Sequence, residues 1–370
     1  MVFMSSYKLI KSIRFYFRDI DSVLFFAVLA LVSIGIVNIY GITGFGDLLF
    51  KKQVIIGLLG FFIMVVCSFF NYRYFKNYSL LVLVPYISSL FLLALTFYSR
   101  SIRGTNSWII FGNFTFEPAE ITKLFLIILM AKYFSQRHIH IYQFKHIVAS
   151  GFYFFIPLVL IINQPDLGSA IILSLIWGSF LIASGINRKH LFIIICSALI
   201  IGFISWFAVI KPYQKVRILS FLDQGRDPLG SGYNLIQSKI AIGSGFWFGN
   251  GIGNGSQAKL GFLPEPHNDF IFAAFIEQFG LIGAIVIMIL AVLIVYRVIL
   301  IGSLAGNNFS KLFSIGLSVL IFSHVFVSAG VNVGLLPITG LPFTFLSSGG
   351  SNLVSVMAGL GILQSIKRYG

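Results

Sequence analysis

The sequence predicts an all-α polytopic membrane protein with about ten transmembrane helices, both termini cytoplasmic and one long extracytoplasmic loop. Three observations predict it. Of 370 residues, 58% are hydrophobic and 10% charged, with a mean hydropathy of +0.95; a soluble fold needs about 25% charged residues to cover its surface. The apolar residues fall in long runs, and a bilayer core takes about 20 such residues per helix. The runs show no alternation of polarity, which β-barrel strands of about 10 residues require. A soluble enzyme, a secreted disulfide scaffold, a disordered chain and a DNA reader are excluded. The net charge of +15 does not indicate nucleic acid, because the basic residues are spread between the runs and form no block. Anionic lipid headgroups account for them.

Ten runs follow one another, near 22–40, 53–70, 79–98, 119–134, 147–163, 168–184, 191–210, 269–296, 312–332 and 352–366. The first follows a basic stretch, Lys8 to Arg18. It is too long for a signal-peptide core and no A-x-A site follows, so it is expected to be an uncleaved helix. The fourth and tenth runs are the shortest. Cys67 and Cys196 both lie inside apolar runs, so neither a disulfide framework nor a metal cluster is expected. No internal repeat is visible, which weighs against an inverted-repeat transporter. Residues 1–370 therefore form one integral membrane domain, with its large outer loop at about 211–268.

The positive-inside rule sets the orientation. With the first segment cytoplasmic, 15 of the 26 Lys and Arg lie in short inner segments, and an even number of spans returns the end of the chain to that side. Nine of the eleven carboxylates fall in outer loops or just below them; only Asp19 and Asp21 do not. Chemistry, if any, belongs at the outer face.

Five stretches carry polar groups that chemistry can use. In Phe116-Glu117-Pro118-Ala119-Glu120-Ile121-Thr122-Lys123, Pro118 suits a first helical turn. Glu120 and Lys123 then share one helical face. Inside an apolar helix such groups are costly unless paired or facing a polar cavity, so the pair either fixes packing or lines a cavity. Asn163-Gln164-Pro165-Asp166-Leu167-Gly168 is a short outer turn, and Asp166 suits an N-cap. The loop 211–268 holds Gly243, Gly245, Gly249, Gly251, Gly253 and Gly255, which match no dinucleotide or P-loop fingerprint. They permit either close approach of backbone amides to an anion or tight turns. Just before them, Leu235, Ile236, Ile240 and Ile242 alternate with polar residues, as in a short interfacial helix.

The fourth stretch, Leu263-Pro264-Glu265-Pro266-His267-Asn268-Asp269, sets two carboxylates and an imidazole where the long loop enters the eighth run. Asp269 is placed either to cap that helix or to act as a general base. Glu277, about 12 Å deeper at 1.5 Å per residue, is expected to partner a buried cation. The fifth stretch, Pro337 to Ser351, is an outer loop rich in Gly, Ser and Pro that suits a polar cleft wall. His324 lies in the middle of the ninth run, where a packed core histidine is the plain expectation.

These motifs resemble those of the SEDS family (shape, elongation, division and sporulation). Gln164-Pro165-Asp166-Leu167-Gly168 and Leu263-Pro264-Glu265 with His267 and Asp269 carry the likeness. Asp227-Pro228-Leu229-Gly230-Ser231-Gly232-Tyr233 and Gly255-Ser256-Gln257 resemble the elongation members more than the division members. The resemblance covers nearly the whole chain. It implies a peptidoglycan glycosyltransferase of the cytoplasmic (inner) membrane that polymerises lipid II at the outer face. It also implies a class B penicillin-binding protein as transpeptidase partner, beside other elongation-complex membrane proteins.

Residue by residue, Asp269 matches the family's catalytic aspartate, Glu120 and Lys123 its polar pair, and Asp166 the aspartate of the short turn. The reaction so implied is an inverting displacement by a sugar hydroxyl with loss of polyprenyl pyrophosphate, with Asp269 as base. Lys123, Arg217 and Lys239 are candidates to stabilise the leaving group, as is a divalent cation, Mg or Mn, held by phosphate oxygens. Glu265 and His267 are expected beside Asp269 in the cavity. The sequence departs from the family at Ser107, Phe246, Gln278 and Phe343-Thr344; Arg100 and Arg103 are candidates to replace the arginine absent at Ser107. The rival readings are a flippase for lipid-linked precursors and a non-catalytic scaffold of the wall-synthesis complex. A flippase should carry charges at the midplane and inner side, whereas here the acids crowd the outer side.

Overall fold

The computed structural model describes residues 19–99, 105–112, 114–137, 144–208, 210–223 and 230–370. The basic stretch Lys8 to Arg18, together with Arg100, Arg103 and Asp227-Pro228-Leu229, lies outside them. Each of the ten apolar runs becomes a helix: α1 (Ser22–Thr43), α2 (Leu48–Phe69), α4 (Leu80–Leu95), α5 (Pro118–Arg137), α6 (Phe144–Asn163), α7 (Leu167–Ala183), α8 (Arg188–Ala208), α12 (Ile271–Leu304), α13 (Asn308–Val333) and α14 (Gly350–Tyr369). A short helix α3 (Arg73–Asn77) joins α2 to α4. The long loop holds α9 (Pro212–Leu222), α10 (Ser231–Ser244) and α11 (Ser256–Lys259); α10 is the short helix expected near Leu235–Ile242.

Seven of the ten are long and apolar enough to cross a membrane unaided. The other three are α5, α7 and α14. α7 has only 17 residues. α5 and α14 gave the shortest apolar runs because their polar groups face inward: Glu120, Thr122 and Lys123 on α5 and Ser351, Asn352, Ser355, Gln364 and Ser365 on α14 are all buried. These two helices are interior, so their polarity meets protein and not lipid. α13 is the hub, packing against α5, α7, α10, α12 and α14, while α14 lies along α2 and α1 runs between α2 and α12. α8 is peripheral, with no buried residue.

One end of the bundle is closed by Asp21. Its carboxylate caps α1 through the amide of Leu24 (2.8 Å). It also pairs with Arg297 of α12 and, at 3.0 Å, with Lys367 of α14. The Gln364 amide side chain brackets the Asp21 backbone at 2.7 and 3.2 Å. Burial raises the carboxyl's pKa, but Arg297, the Leu24 amide and Lys367 outweigh it and hold it below the usual range.

The opposite end carries the 96–117 connection, the long loop and the 334–349 loop. A two-stranded hairpin, β1 (Ile109–Phe111) and β2 (Phe114–Phe116), pairs antiparallel with Ile109 opposite Phe116. The other unexpected feature is a break in α12. Gly280 sits at φ 70°, ψ −174° within the helix. A Cβ there would lie 2.4 Å from the Trp247 carbonyl. The loop 246–251 fills the break. Leu281 and Ile282 donate to the carbonyls of Phe246 (2.9 Å) and Trp247 (3.2 Å), while Asn250 and Gly251 donate to those of Glu277 (2.9 Å) and Gln278 (3.0 Å). A broken span is stable when a neighbour satisfies the freed backbone groups.

Among the described residues, Glu277 meets no cation of the kind expected. Its two oxygens accept the amides of Gln257 (2.7 Å) and Ala258 (3.0 Å), at the start of α11. Gln278 does the complementary work: its Oε1 accepts from Gly253 (3.2 Å) and its Nε2 donates to Asn38 Oδ1 (3.0 Å). The glycine-rich segment is therefore a packed turn system latched to α12. Gly249, at φ 80°, lies so close that a Cβ would come 2.2 Å from the Gln278 carbonyl.

Candidate active site

Where the long connections converge there is a cavity of about 330 Å³. Its walls come from the hairpin region (Ser107, Trp108, Glu117), the 165–171 turn (Asp166), α9 (Gln214, Arg217), the start of α12 (Asn268, Asp269), the loop 337–342 and the start of α14 (Ser351, Asn352). Among the described lining residues, three carboxylates (Glu117, Asp166, Asp269) face one cation, Arg217.

Asp166 both caps and lines. Its Oδ1 accepts the Ser169 amide at 3.0 Å, so the predicted cap of α7 is present at the cavity wall. The turn that carries it is held by Gln214, whose Nε2 donates to the Pro165 carbonyl at 3.1 Å. Gln214 also caps α9 by accepting the Lys211 amide at 3.0 Å. Arg217 follows three residues later on that helix and faces the cavity.

Asp269 is positioned from α13. The N-cap position of α12 falls on Phe270, with no side-chain cap. The first-turn amide of Ala273 donates instead to Asn332 Oδ1 (2.9 Å), and Asn332 Nδ2 donates to the Asp269 carbonyl (2.8 Å) and the Ser328 carbonyl (2.8 Å). Fully buried Asn332 thus caps α12 from a neighbouring helix and fixes the backbone that carries Asp269. The sequence reading missed both Asn332 and Gln214. Each is an amide whose partner is distant in the chain, a relation that local spacing does not display.

Glu265 and His267 stand beside the cavity and not in its lining. They pair with each other at 3.4 Å. Glu265 also accepts from Asn268 Nδ2 at 3.2 Å. Asn268 in turn accepts from the Ser348 hydroxyl, and the Ser348 amide donates to the His267 carbonyl at 3.0 Å. This turn braces Asn268 and Asp269 against the 334–349 loop.

Glu120 and Lys123 lie beneath the floor, 1% and 0% exposed. They join at 2.8 Å, and the cavity-lining Asn352 reaches Glu120 Oε2 at 3.0 Å. The pair is packed and adjoins the cavity through one side chain. Lys123, already neutralised, and Lys239, exposed with its stem beside Gly334, are both outside the lining. Of the three expected leaving-group cations, the cavity holds Arg217.

Glu117 is the lining carboxylate that the sequence reading left without a role. Burial, then the neighbouring Glu120 and Asp166 carboxylates, push it well above the usual range. The departures fall in three different settings. Ser107 is a buried lining residue. Phe343 is buried and stacks on Phe272 at 5.7 Å. Phe246 is exposed, with its carbonyl in the α12 break. No three His, Cys, Asp or Glu among the described residues are gathered to hold a metal.

Fold and cavity together define a polytopic membrane protein whose polar, acid-rich site opens at one end of the helical bundle. A family model described as cell cycle protein, uniting FtsW, RodA and SpoVE, matches residues 14–370, and the chain belongs to that family. Peptidoglycan glycosyltransferase MrdB of Escherichia coli K12 is 33% identical over 355 residues, covering 95% of this chain and 94% of that protein. Stage V sporulation protein E of Bacillus subtilis is 32% identical over 359 residues, covering 94% and 97%. A chain from a peptidoglycan synthase complex that coordinates polymerization and crosslinking matches with TM-score 0.81 and 28% identity over 95% of this chain and 98% of its own length. The rod shape determining protein RodA of Thermus thermophilus shares the fold, with TM-score 0.71, 24% identity and coverage of 95% and 98%.

Proposed function

We propose that this chain is a peptidoglycan glycosyltransferase of the cytoplasmic membrane that polymerises lipid II at the outer face during cell elongation. The observation that carries the proposal is the gathering of Asp269, Asp166 and Arg217 around one cavity in a chain of this family. The acceptor hydroxyl loses its proton to Asp269 as its oxygen bonds to the anomeric carbon. The bond from that carbon to the phosphate oxygen breaks, with inversion. Lipid pyrophosphate leaves, and Arg217 stabilises its charge. Asn332 and the Glu265–His267–Asn268 turn hold Asp269 in place, and Gln214 holds Asp166 and Arg217 on facing elements.

A divalent cation, Mg or Mn, suits a lining with three carboxylates and one arginine. It would supply further neutralisation of the pyrophosphate. The protein would offer Asp166, leaving the other ligands to phosphate and water. The likeness to a synthase complex supports a class B penicillin-binding protein as the crosslinking partner, within an assembly of elongation proteins. α5 offers a flippase no polar step between Lys123 and Lys132, where every side chain from Leu124 to Ala131 is apolar. Incubating purified protein with lipid II, alone and with its penicillin-binding partner, tests the proposal. Glycan chains are expected; none in either condition would leave the flippase and scaffold readings.

A further inference from the structure

Between the cavity and the core lies a buried polar cluster with a member that the reaction leaves unused. Glu120 and Lys123 come from α5, His324 from the middle of α13, Asn352 from the first turn of α14, and a carbonyl from Pro342. The four side chains are each no more than 2% exposed. His324 Nδ1 lies 3.2 Å from the Pro342 oxygen. Its Nε2 lies 3.3 Å from Lys123 Nζ and 3.3 Å from Asn352 Nδ2. Glu120 Oε2 is 3.6 Å from the same nitrogen.

These partners assign the tautomer. A carbonyl oxygen only accepts, so the Nδ1 contact needs a proton on Nδ1. In the neutral ring Nε2 then presents a lone pair to two donors, the Lys123 ammonium and the Asn352 amide. A charged ring would turn an N–H towards that ammonium, with no acceptor within hydrogen-bond distance of Nε2. The neutral ring gives every member a partner: Lys123 donates to Glu120 Oε1 and to Nε2, and Glu120 Oε2 accepts from Asn352. A buried network that is satisfied throughout is rigid.

Pro342 and Asn352 line the cavity, whereas Glu120, Lys123 and His324 do not. His324 is the member that touches both of these wall residues. We infer that His324 is a positioning residue for glycosyl transfer, holding the Pro342 wall through Nδ1 and the Asn352–Lys123 side through Nε2, so that a side chain outside the cavity sets its shape. The inference rests on the transferase reading above.

Two variants separate the two bonds. His324→Gln keeps an oxygen acceptor near Lys123 and loses the tie to Pro342. His324→Asn keeps a donor near Pro342 and loses the acceptor. Each is compared with wild type in nanodiscs for lipid II binding, turnover and melting temperature. For His324→Gln, Kd and KM should rise about fivefold, the weight of one neutral hydrogen bond, with kcat little changed. For His324→Asn, Kd should stay near wild type and kcat should fall. In wild-type protein labelled with ¹⁵N-histidine, the signal lost in His324→Asn should show a neutral ring protonated at Nδ1. Unchanged Kd and kcat in both variants with lowered melting temperatures would make His324 a packing residue and overturn the inference. So would a charged or Nε2-protonated ring, a result that needs only one of the two variants to fold, since either assigns the His324 signal. Wild type that binds lipid II without forming polymer would sink the transferase reading instead, with Kd and tautomer still judging His324.

Discussion

Asn332→Ala is the sharpest test of how the fold places Asp269. The amide of Asn332 uses both of its donors and one of its acceptor positions: it accepts from Ala273 and donates to Asp269 and Ser328. Truncation strands the Ala273 N–H in the buried first turn of α12 and removes one donor from the Asp269 carbonyl. The stranded buried N–H costs about 1–3 kcal/mol. The same change frees the backbone that holds Asp269. A displacement of about 1 Å at a reacting group costs on the order of 100-fold in rate. Melting in detergent reads the first quantity, and lipid II turnover by the folded fraction reads the second. Stability and kcat should both fall, and an Asn332→Ala, Asp269→Asn double variant should lose much less than the product of the single losses. A folded Asn332→Ala protein with wild-type turnover would refute the view that α13 positions Asp269.

Gln278→Glu should destabilise by about 1–3 kcal/mol in thermal melts, because a carboxylate cannot donate to Asn38 as the amide does; an unchanged melting temperature would deny the latch its role. The Asp21 carboxyl is held below its ordinary pKa, so its contribution is complete above an unfolded value of about 3.9 and is lost as pH falls through the lower folded value. Asp21→Asn should therefore melt lower at neutral pH and show a shallower acid-side loss; parallel wild-type and variant profiles would contradict this. In a protein whose Cys67 and Cys196 are replaced by serine, Asn254→Cys should react with an impermeant thiol reagent in intact spheroplasts. Gly306→Cys, exposed at the other end, should react only after the membrane is opened, and the reverse pattern would invert the orientation.

The ten helices were legible because lipid and core both select unbroken apolar runs. The break at Gly280 was not, because it interrupts no apolar pattern and its hydrogen bonds are supplied by residues 246–251. The hairpin at 109–116 escaped notice because its strands have three residues each. Asp166 and Asp269 stand out in the sequence as helix caps, the family resemblance marks them and Arg217 as site residues, and all three line the cavity. Lys123 and Glu120 were correctly read as a pair, but helical spacing cannot tell a floor from a wall. Glu277 shows the same limit: a buried carboxylate suggests a cation, yet two backbone amides, from Gln257 and Ala258, met it. Asn332 stayed hidden since its partners Asp269 and Ala273 lie 63 and 59 positions away.

The central claim is that Asp269 is the base of glycosyl transfer, and Asp269→Asn measures it most directly. The exchange keeps size and most polar contacts while removing the basic carboxylate. General-base catalysis contributes about 10²–10⁴-fold. Purified Asp269→Asn, melting like wild type and still binding lipid II and the penicillin-binding partner, should lose at least about 100-fold in glycan polymerisation rate. Polymerisation by that protein at close to the wild-type rate would remove Asp269 from the mechanism.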